Sequence, residues 1–332
     1  QGTAGGEAFA DIISGKVTPS GKLTDTWVRS YDDVPFGQEY SYLNGNLDDE
    51  DYKEGIYVGY RYYDTFHVEP YFPFGFGLSY TRFTIDYAHI RMYDGGCVAV
   101  TVHVKNIGDT FSGKEIVQLY ASCPSGKLDK EYQRLVAFAK TSELAPGESE
   151  DLILMFPLEY LTSFNPDTKE TIMEKGRYLL RIGSHSRSTQ ICAALDFAQD
   201  LIFEKHHAIC PLKKPLDVLK SVSAPSGDVQ LPEKNILIVS PDAIQTIVHT
   251  YDNLPISTNK QVLKQLKSLK PHERIELVVG SGLKDMLLNS SYIKVPGVAG
   301  NTTSKFIDKE ILEAMDKLGL WAAILTMKNN IS

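Results

Sequence analysis

This sequence of 332 residues has few cysteines and no long apolar run. Its four cysteines stand far apart with no CxxC pair among them: Cys97, Cys123, Cys192 and Cys210. Such spacing argues against a disulfide framework or a zinc site and predicts a reducing compartment, the cytoplasm. No apolar stretch approaches the ~18 residues that a membrane-spanning helix needs, so we expect no membrane partner.

The sequence also lacks an excess of positive charge and a targeting segment. It carries 34 Lys and Arg against 42 Asp and Glu, a formal net charge of −8, and it has no basic stripe. We therefore expect no nucleic-acid partner. The first residues, QGTAGGEAF, have neither a starting Met nor the basic-then-apolar layout of a signal peptide, and we expect a chain cut from a longer one.

Residues 1–80 contain an amphipathic start and a dense aromatic segment. The run GGEAFADIIS predicts a short helix with Phe9, Ile12 and Ile13 on one side. A Pro-Ser-Gly turn and a strand-like run, LTDTWV, follow it. From Tyr52 to Tyr80, 11 of 29 residues are aromatic, and a cluster of this density must be mostly buried or lie under another domain.

Residues 81–200 consist of short alternating runs separated by turn signals, a pattern typical of an all-β domain. Seven strands are predicted, at Phe83–Ile90, Cys97–Lys105, Glu115–Ser122, Arg134–Lys140, Glu150–Phe156, Arg177–Gly183 and Thr189–Phe197. This number favours one immunoglobulin- or fibronectin-like sandwich.

Beyond residue 200 the pattern changes again. The stretch 211–232 is rich in Pro, Lys, Ser and Gly and indicates a linker, which we assign to 201–258. Within it, Asn235–Ser240 is consistent with one buried strand. Apolar residues at helical spacing then predict helices, one of them over Lys305–Leu318.

Candidate chemistry is sparse. His206 and His207 point in different directions and have no nearby third ligand, so we expect a solvated surface pair. The acidic run Asp48–Asp51 is expected to be solvated rather than to hold a cation. The run PFGFGLSY is not a phosphate-binding GxGxxG, and its glycines let the backbone turn tightly under large rings. We therefore expect no metal site and no cofactor, and the residues by themselves reveal no active site.

Several linked motifs carry a resemblance to glycoside hydrolase family 3. Four motifs have the family's order and spacing: Gly5-Gly6, PSGKL at 19–23, YRYY at 60–63 and FGFGLSY at 74–80. The run from QGTAGG to TDTW resembles the end of the family's α/β-sandwich domain. The run from EGIYVGYRYYD to LSYTRF resembles the segment leading into its fibronectin type III-like domain. Two later runs resemble strands of that domain: EYQRLVAFAKTSELAPGESEDLILMF and EKGRYLLRIGSHS. The resemblance therefore covers roughly residues 1–190.

A second, shorter resemblance concerns the end of the chain. Two runs resemble the start of the barrel in permuted family members, in which the barrel comes last: VLKQLKSLKPHERIELVVGSG and YIKVPGVAGNTT. A full (β/α)₈ barrel needs about 250 residues, so a complete one is excluded.

The resemblance implies a domain organisation. Residues 1–80 are the C-terminal part of the α/β-sandwich domain with an aromatic connecting segment, and 81–200 are the fibronectin type III-like domain. The linker 201–258 and a truncated barrel start, 259–332, follow. The expected fold class is mainly β: a fibronectin-like sandwich flanked by a partial α/β-sandwich remnant and a mostly helical C-terminal segment.

The family's typical members are retaining exo-glycosidases that release a terminal β-linked sugar, most often glucose. Retention requires two carboxyl groups about 5–5.5 Å apart. In the family the nucleophile is a barrel aspartate and the acid/base is commonly a glutamate of the sandwich domain, and no residue of this chain matches either. Asp25 belongs to the strand after the Gly-Lys-Leu turn, and we expect structural roles for Asp64 and Glu54.

The resemblance therefore implies an inactive scaffold portion of a β-glucosidase-type enzyme. It would meet a β-glucoside or oligosaccharide only through the parent enzyme, and a homo-oligomer is left open. The alternative is a non-catalytic carbohydrate-binding or adhesive fibronectin-like module, since exposed rings can stack on sugars. Exposure of Tyr57, Tyr60, Tyr62 and Tyr63 would favour binding, whereas burial would favour scaffolding. We expect burial, because so many contiguous exposed rings would promote aggregation.

Overall fold

The computed structural model describes residues 2–40, 43, 45–46, 50–93, 96–206, 215–221, 229–243 and 247–248. All of them belong to one compact unit, Gln1–Val248. The helical segment and the truncated barrel start predicted over 259–332 lie outside the described residues. The domain boundaries after residues 80, 200 and 258 stay predictions.

Residues 2–80 contain little regular structure. The predicted first helix is present as α1, Gly5–Ile13, and the chain leaves it through Gly15, whose φ of +76° favours glycine. Phe9 and Ile13, on the apolar side of α1, are exposed. The elements with described bounds that follow include two 3₁₀ turns, Tyr31–Asp33 and Gly37–Glu39, and a second helix, α2, Tyr60–Thr65.

The strand predicted from LTDTWV is not formed. Trp27 instead makes a single antiparallel bridge to Phe72, with its backbone N–H donating to the Phe72 carbonyl at 2.9 Å. The bridge joins the start of the chain to the aromatic segment, and the two rings meet edge to face at 6.0 Å.

All seven predicted strands are present, and shorter ones join them. In chain order the strands are β1 Phe83–Tyr93, β2 Cys97–Asn106, β3 Ile116–Ser122, β4 Arg134–Lys140, β5 Ser149–Pro157, β6 Ser163–Asn165, β7 Glu170–Met173, β8 Gly176–His185, β9 Ser188–Phe197, β10 Leu201–Lys205, β11 Ile236–Val239 and β12 Ile247–Val248. The described part of the chain is therefore mainly β, with few helices.

Two of the sheets form the sandwich. One has the order β1-β2-β5 and the other β11-β9-β8-β3-β4. Alternate residues of β2 point into the core, and Val98, Val100 and Val102 are fully buried there. Leu119 of β3 and Leu180 of β8 are buried in the same core from the facing sheet.

The described residues after 200 add strands to a third, smaller sheet and to one sheet of the sandwich. β10 pairs antiparallel with β7, and β12 pairs parallel with β10, in a small sheet of order β12-β10-β7-β6. β11, within the predicted strand Asn235–Ser240, pairs parallel with β9. The range predicted as a linker thus contains strands that extend the β structure.

Candidate functional site

The aromatic connecting segment, residues 52–80, packs against the sandwich through a set of buried polar contacts. Asp64, in α2, is 3% exposed. Its Oδ1 lies 2.8 Å from Arg187 Nε, and its Oδ2 accepts a hydrogen bond from Gln133 Nε2 at 3.0 Å. Arg187 also donates from Nη2 to the carbonyls of Tyr63 at 2.8 Å and Val68 at 2.7 Å. One guanidinium therefore fixes both the carboxylate and the end of α2.

Burial shifts the titration of this carboxyl group. It raises the pKa of Asp64 above its ordinary value, and the hydrogen bond from Gln133 and the charge of Arg187 limit that rise. A buried carboxylate already held by a guanidinium and an amide is a structural group. The structural role expected for Asp64 stays a prediction, and this geometry supports it.

The FGFGLSY run is held by an amide from the sandwich. Gln118 of β3 donates through Nε2 to the carbonyls of Gly75 at 3.1 Å and Ser184 at 2.8 Å, and its Oε1 accepts from the Tyr120 hydroxyl at 2.6 Å. Gly75 has a φ of +80°, and a Cβ there would lie 2.1 Å from Gln118 Oε1. Only glycine fits between this amide and the turn.

Four of the segment's tyrosines, Tyr57, Tyr60, Tyr62 and Tyr63, are buried or half-buried. Tyr57 is fully buried and Tyr63 is 6% exposed, while Tyr60 and Tyr62 are half-buried. The Tyr60 hydroxyl accepts a hydrogen bond from the Leu135 N–H at 2.8 Å, and its ring stacks on Phe74 at 4.6 Å. Burial is confirmed for Tyr57 and Tyr63, whereas Tyr60 and Tyr62 keep part of their surface in solvent.

A buried ion pair holds the loop that faces Tyr57. Lys130 and Glu174 pair with side chains only 3% and 4% exposed, and Glu174 also accepts the Lys127 N–H at 2.6 Å and the Leu128 N–H at 3.3 Å. Burial by itself would raise the pKa of Glu174, but the Lys130 ammonium and these N–H groups outweigh it and lower the pKa. The Tyr57 hydroxyl donates to the Lys130 carbonyl at 3.3 Å, which joins this loop to the connecting segment.

Residues 215–221, the return segment, lie against the same place. The Leu219 N–H donates to the Lys53 carbonyl at 2.8 Å, and the Ser221 N–H donates to the Tyr57 hydroxyl at 3.1 Å. Gly55 fits beneath Val218, at 3.4 Å from an added Cβ to the Val218 Cβ. The chain that follows the sandwich thus closes over the start of the connecting segment.

The PSGKL motif also contacts the sandwich. Lys22 Nζ lies 2.6 Å from Glu115 Oε1, with both side chains mostly buried, and Ser20 Oγ accepts from Lys140 Nζ at 2.9 Å. The contact is one that sequence reasoning missed, because residues 22 and 115 are remote in the chain and nothing local marks them as partners.

The other residues weighed from sequence are scattered. Asp25 is exposed. Glu54 is half-buried and lines a small cavity described below. His206 is half-buried, with Nε2 2.7 Å from Thr171 Oγ1 and its ring against Phe164, so the prediction of a solvated pair is wrong for His206. His207 lies outside the described residues.

The described part of the chain contains neither a metal-binding cluster nor a membrane-spanning helix. There, no group of three His, Cys, Asp or Glu side chains is arranged to hold a metal ion. None of the helices in that part has the length and apolar character needed to cross a membrane.

Comparison with known proteins gives two domain matches. Residues 1–80 match the glycosyl hydrolase family 3 C-terminal domain, and residues 115–186 match a fibronectin type III-like domain. The second match lies within the sandwich, and the first contains the PSGKL, YRYY and FGFGLSY motifs.

Similar proteins are much longer than this chain. Thermostable beta-glucosidase B of Acetivibrio thermocellus is 40% identical over 193 residues, which are 56% of this chain and 24% of that protein. A beta-glucosidase of Ruminococcus albus is 38% identical over 219 residues, or 64% of this chain and 22% of that protein. The structure of beta-glucosidase 3B from Thermotoga neapolitana in complex with α-D-glucose is 41% identical in sequence and gives a TM-score of 0.55. The match covers 61% of this chain and 28% of that protein. The chain spans about a quarter of the length of such relatives.

Proposed function

We propose that this chain, whose residues 1–80 match the glycosyl hydrolase family 3 C-terminal domain, is a scaffold portion of a retaining, exo-acting β-glycosidase of the β-glucosidase type. Its parent enzyme hydrolyses terminal β-linked sugars. The cytoplasm is part of the same proposal, which is supported by the free thiols of Cys97, Cys123 and Cys192. A homo-oligomer stays a prediction.

One observation carries the scaffold role: the family motifs are bonded to the sandwich. Lys22 of PSGKL pairs with Glu115, and Gly75 of FGFGLSY is bound by Gln118. The carboxylate of Asp64, next to YRYY, is paired with Arg187. These groups hold one domain against another and leave the connecting segment in a defined position.

Retaining hydrolysis needs a nucleophilic carboxylate and an acid/base about 5–5.5 Å apart. Asp64 does not fit either role, because it is buried and its oxygens are bonded to Arg187 and Gln133. The contribution of this portion to catalysis is therefore positional: it sets the geometry of the parts of the enzyme that it joins.

An activity assay tests this proposal. The purified chain is expected to release no nitrophenol from p-nitrophenyl β-glucoside above the buffer background, while the Thermotoga neapolitana enzyme serves as the positive control. Turnover by the chain that disappears in Glu54→Gln or Asp25→Asn would overturn the scaffold role. Both side chains reach solvent, so neither substitution is expected to unfold the protein.

A carbohydrate-binding or adhesive module is the second candidate. The burial of Tyr57 and Tyr63 argues against a binding surface made by Tyr57, Tyr60, Tyr62 and Tyr63. The rings of Tyr40 and Tyr52 are exposed, and they favour a sugar contact beside those two residues instead.

A further inference from the structure

A small cavity lies beside the connecting segment, between residues 31–40 and 50–54. Its volume is about 300 Å³, at the lower end of the range for small-molecule sites. Four aromatic side chains line it: Tyr31, Phe36, Tyr40 and Tyr52. Tyr40 is 66% exposed and Tyr52 is 76% exposed, so both rings offer free faces. Such a space suits one ring-sized ligand.

The cavity wall is held in a particular shape. Phe36 has a φ of +56°, a backbone conformation that is rare for an aromatic residue. Tyr31 closes onto the following turn, where its hydroxyl donates to the Gly37 carbonyl at 2.9 Å. A Cβ at Gly37 would lie 3.1 Å from the Tyr31 ring, so glycine lets that ring approach. The turn therefore keeps the aromatic wall in place without a ligand.

Polar groups of both signs stand between the rings. Lys53 pairs with Glu39, and its ammonium lies 5.8 Å from the centre of the Phe36 ring. Glu54 also lines the cavity, so among its described lining residues carboxylates outnumber ammonium groups.

This arrangement selects a class of ligand. An anion would be repelled by the excess of carboxylates. A cation would compete with the ammonium of Lys53 that already occupies the place between Glu39 and Phe36. A neutral ligand with hydroxyl groups and apolar ring faces can use an ammonium donor, carboxylate acceptors and aromatic rings at once.

We propose that this cavity binds a single neutral sugar ring, with its C–H faces against Tyr40 and Tyr52 and its hydroxyl groups toward Lys53 and Glu39. The choice of a glucosyl unit rests on the proposed function. The site involves residues 31–40 and 50–54, outside the sandwich and outside Tyr57, Tyr60, Tyr62 and Tyr63, which the binding-module alternative invoked.

Titration of the full chain with methyl β-D-glucopyranoside, followed by saturation-transfer-difference NMR, tests the proposal. We expect saturable binding with a Kd on the order of 1 mM, as suits a small polar ligand. Tyr52→Ala is expected to weaken binding about two- to tenfold, since one stacking contact is lost. Because Tyr52 is 76% exposed, this substitution leaves the packing intact.

Tyr160→Ala is the matched control, since Tyr160 is also an exposed tyrosine, at 53%, but does not line the cavity. Lys53→Met, which removes the ammonium and keeps the length of the side chain, is expected to weaken sugar binding as well. Absence of saturable binding, equal binding by Tyr52→Ala and Tyr160→Ala, or preference for tetramethylammonium over the sugar would each overturn the proposal.

The outcome is separable from that of the nitrophenol assay. A cavity that binds no sugar leaves the scaffold role standing, because that role depends on the contacts with the sandwich. Nitrophenol release would overturn the scaffold role whatever the cavity binds.

Discussion

Replacing Arg187 by Leu tests the contact between α2 and the sandwich most directly. The change leaves Asp64, 3% exposed, as a buried carboxylate without its guanidinium, and it removes a donor from the Tyr63 and Val68 carbonyls. Breaking a buried pair by removing one partner costs about 3–5 kcal/mol. The Arg187 side chain is 26% exposed, so solvent screens part of the interaction and we expect the lower end, about 3 kcal/mol.

Urea denaturation followed by far-UV circular dichroism measures this loss. In a heating experiment, about 3 kcal/mol corresponds to a decrease in Tm of roughly 6–12 °C for a domain of this size. The matched control is Arg177→Leu, because Arg177 pairs with Asp196 at 2.7 Å with side chains 40% and 32% exposed. That pair should contribute less than about 1 kcal/mol.

The pH dependence gives a second, independent signature. The pKa of Asp64 is already raised by burial, and Arg187 opposes the rise, so removing the guanidinium raises the pKa further. A folded-state pKa above the unfolded one means that the folded protein binds a proton more readily, and acid then favours folding. The penalty of Arg187→Leu should therefore shrink from pH 7 to pH 5. A loss equal to that of Arg177→Leu, or one that grows on acidification, would refute the reasoning.

Two further predictions concern the turn glycines and the buried ion pair. Gly77→Ala should lower the free energy of unfolding by about 1–3 kcal/mol, because a Cβ would lie 2.4 Å from the Gly21 carbonyl oxygen. The control is Gly6→Ala in α1, whose Cβ meets nothing within 4 Å and should not destabilise the protein. Equal decreases in the Tm of the two variants would contradict this. Glu174 has a lowered pKa, so its stabilisation is present above the unfolded value of 4.5 and is lost as the pH falls through the folded value. The urea midpoint of Glu174→Gln should start lower, with Lys130 left unpaired, and should change less between pH 5 and pH 3; an unchanged pH profile would argue against this pair.

Short-range patterns were sufficient for α1 and the seven predicted strands, but not for α2 or for LTDTWV, which forms no strand. Alternation identified β2 and β9, because a strand buries one face and neighbouring residues then alternate. The i, i+3, i+4 spacing identified α1, although its apolar side is exposed. The burial of Tyr57 followed from the same logic applied to composition, since a dense group of rings must be covered.

Long-range partners could not be predicted in this way. The pairing of Lys22 with Glu115 depends on how two remote segments meet, and each residue by itself resembles an ordinary surface charge. The same holds for His206, whose hydrogen bond to Thr171 exists only because β10 pairs with β7. The cavity between residues 31–40 and 50–54 is lined by turns, where periodicity carries no information.

The return segment has a consequence for how the protein is made. Its Ser221 N–H binds the Tyr57 hydroxyl across 164 residues of sequence. At about 5–20 residues per second, a ribosome needs roughly 10–30 s to travel that distance. Strands β1 to β9 are synthesised during this interval, before the return segment that packs against the start of the connecting segment. Contacts of such high sequence separation form late, so the aromatic surface near Tyr57 stays accessible to chaperones and to aggregation until the return segment has been made.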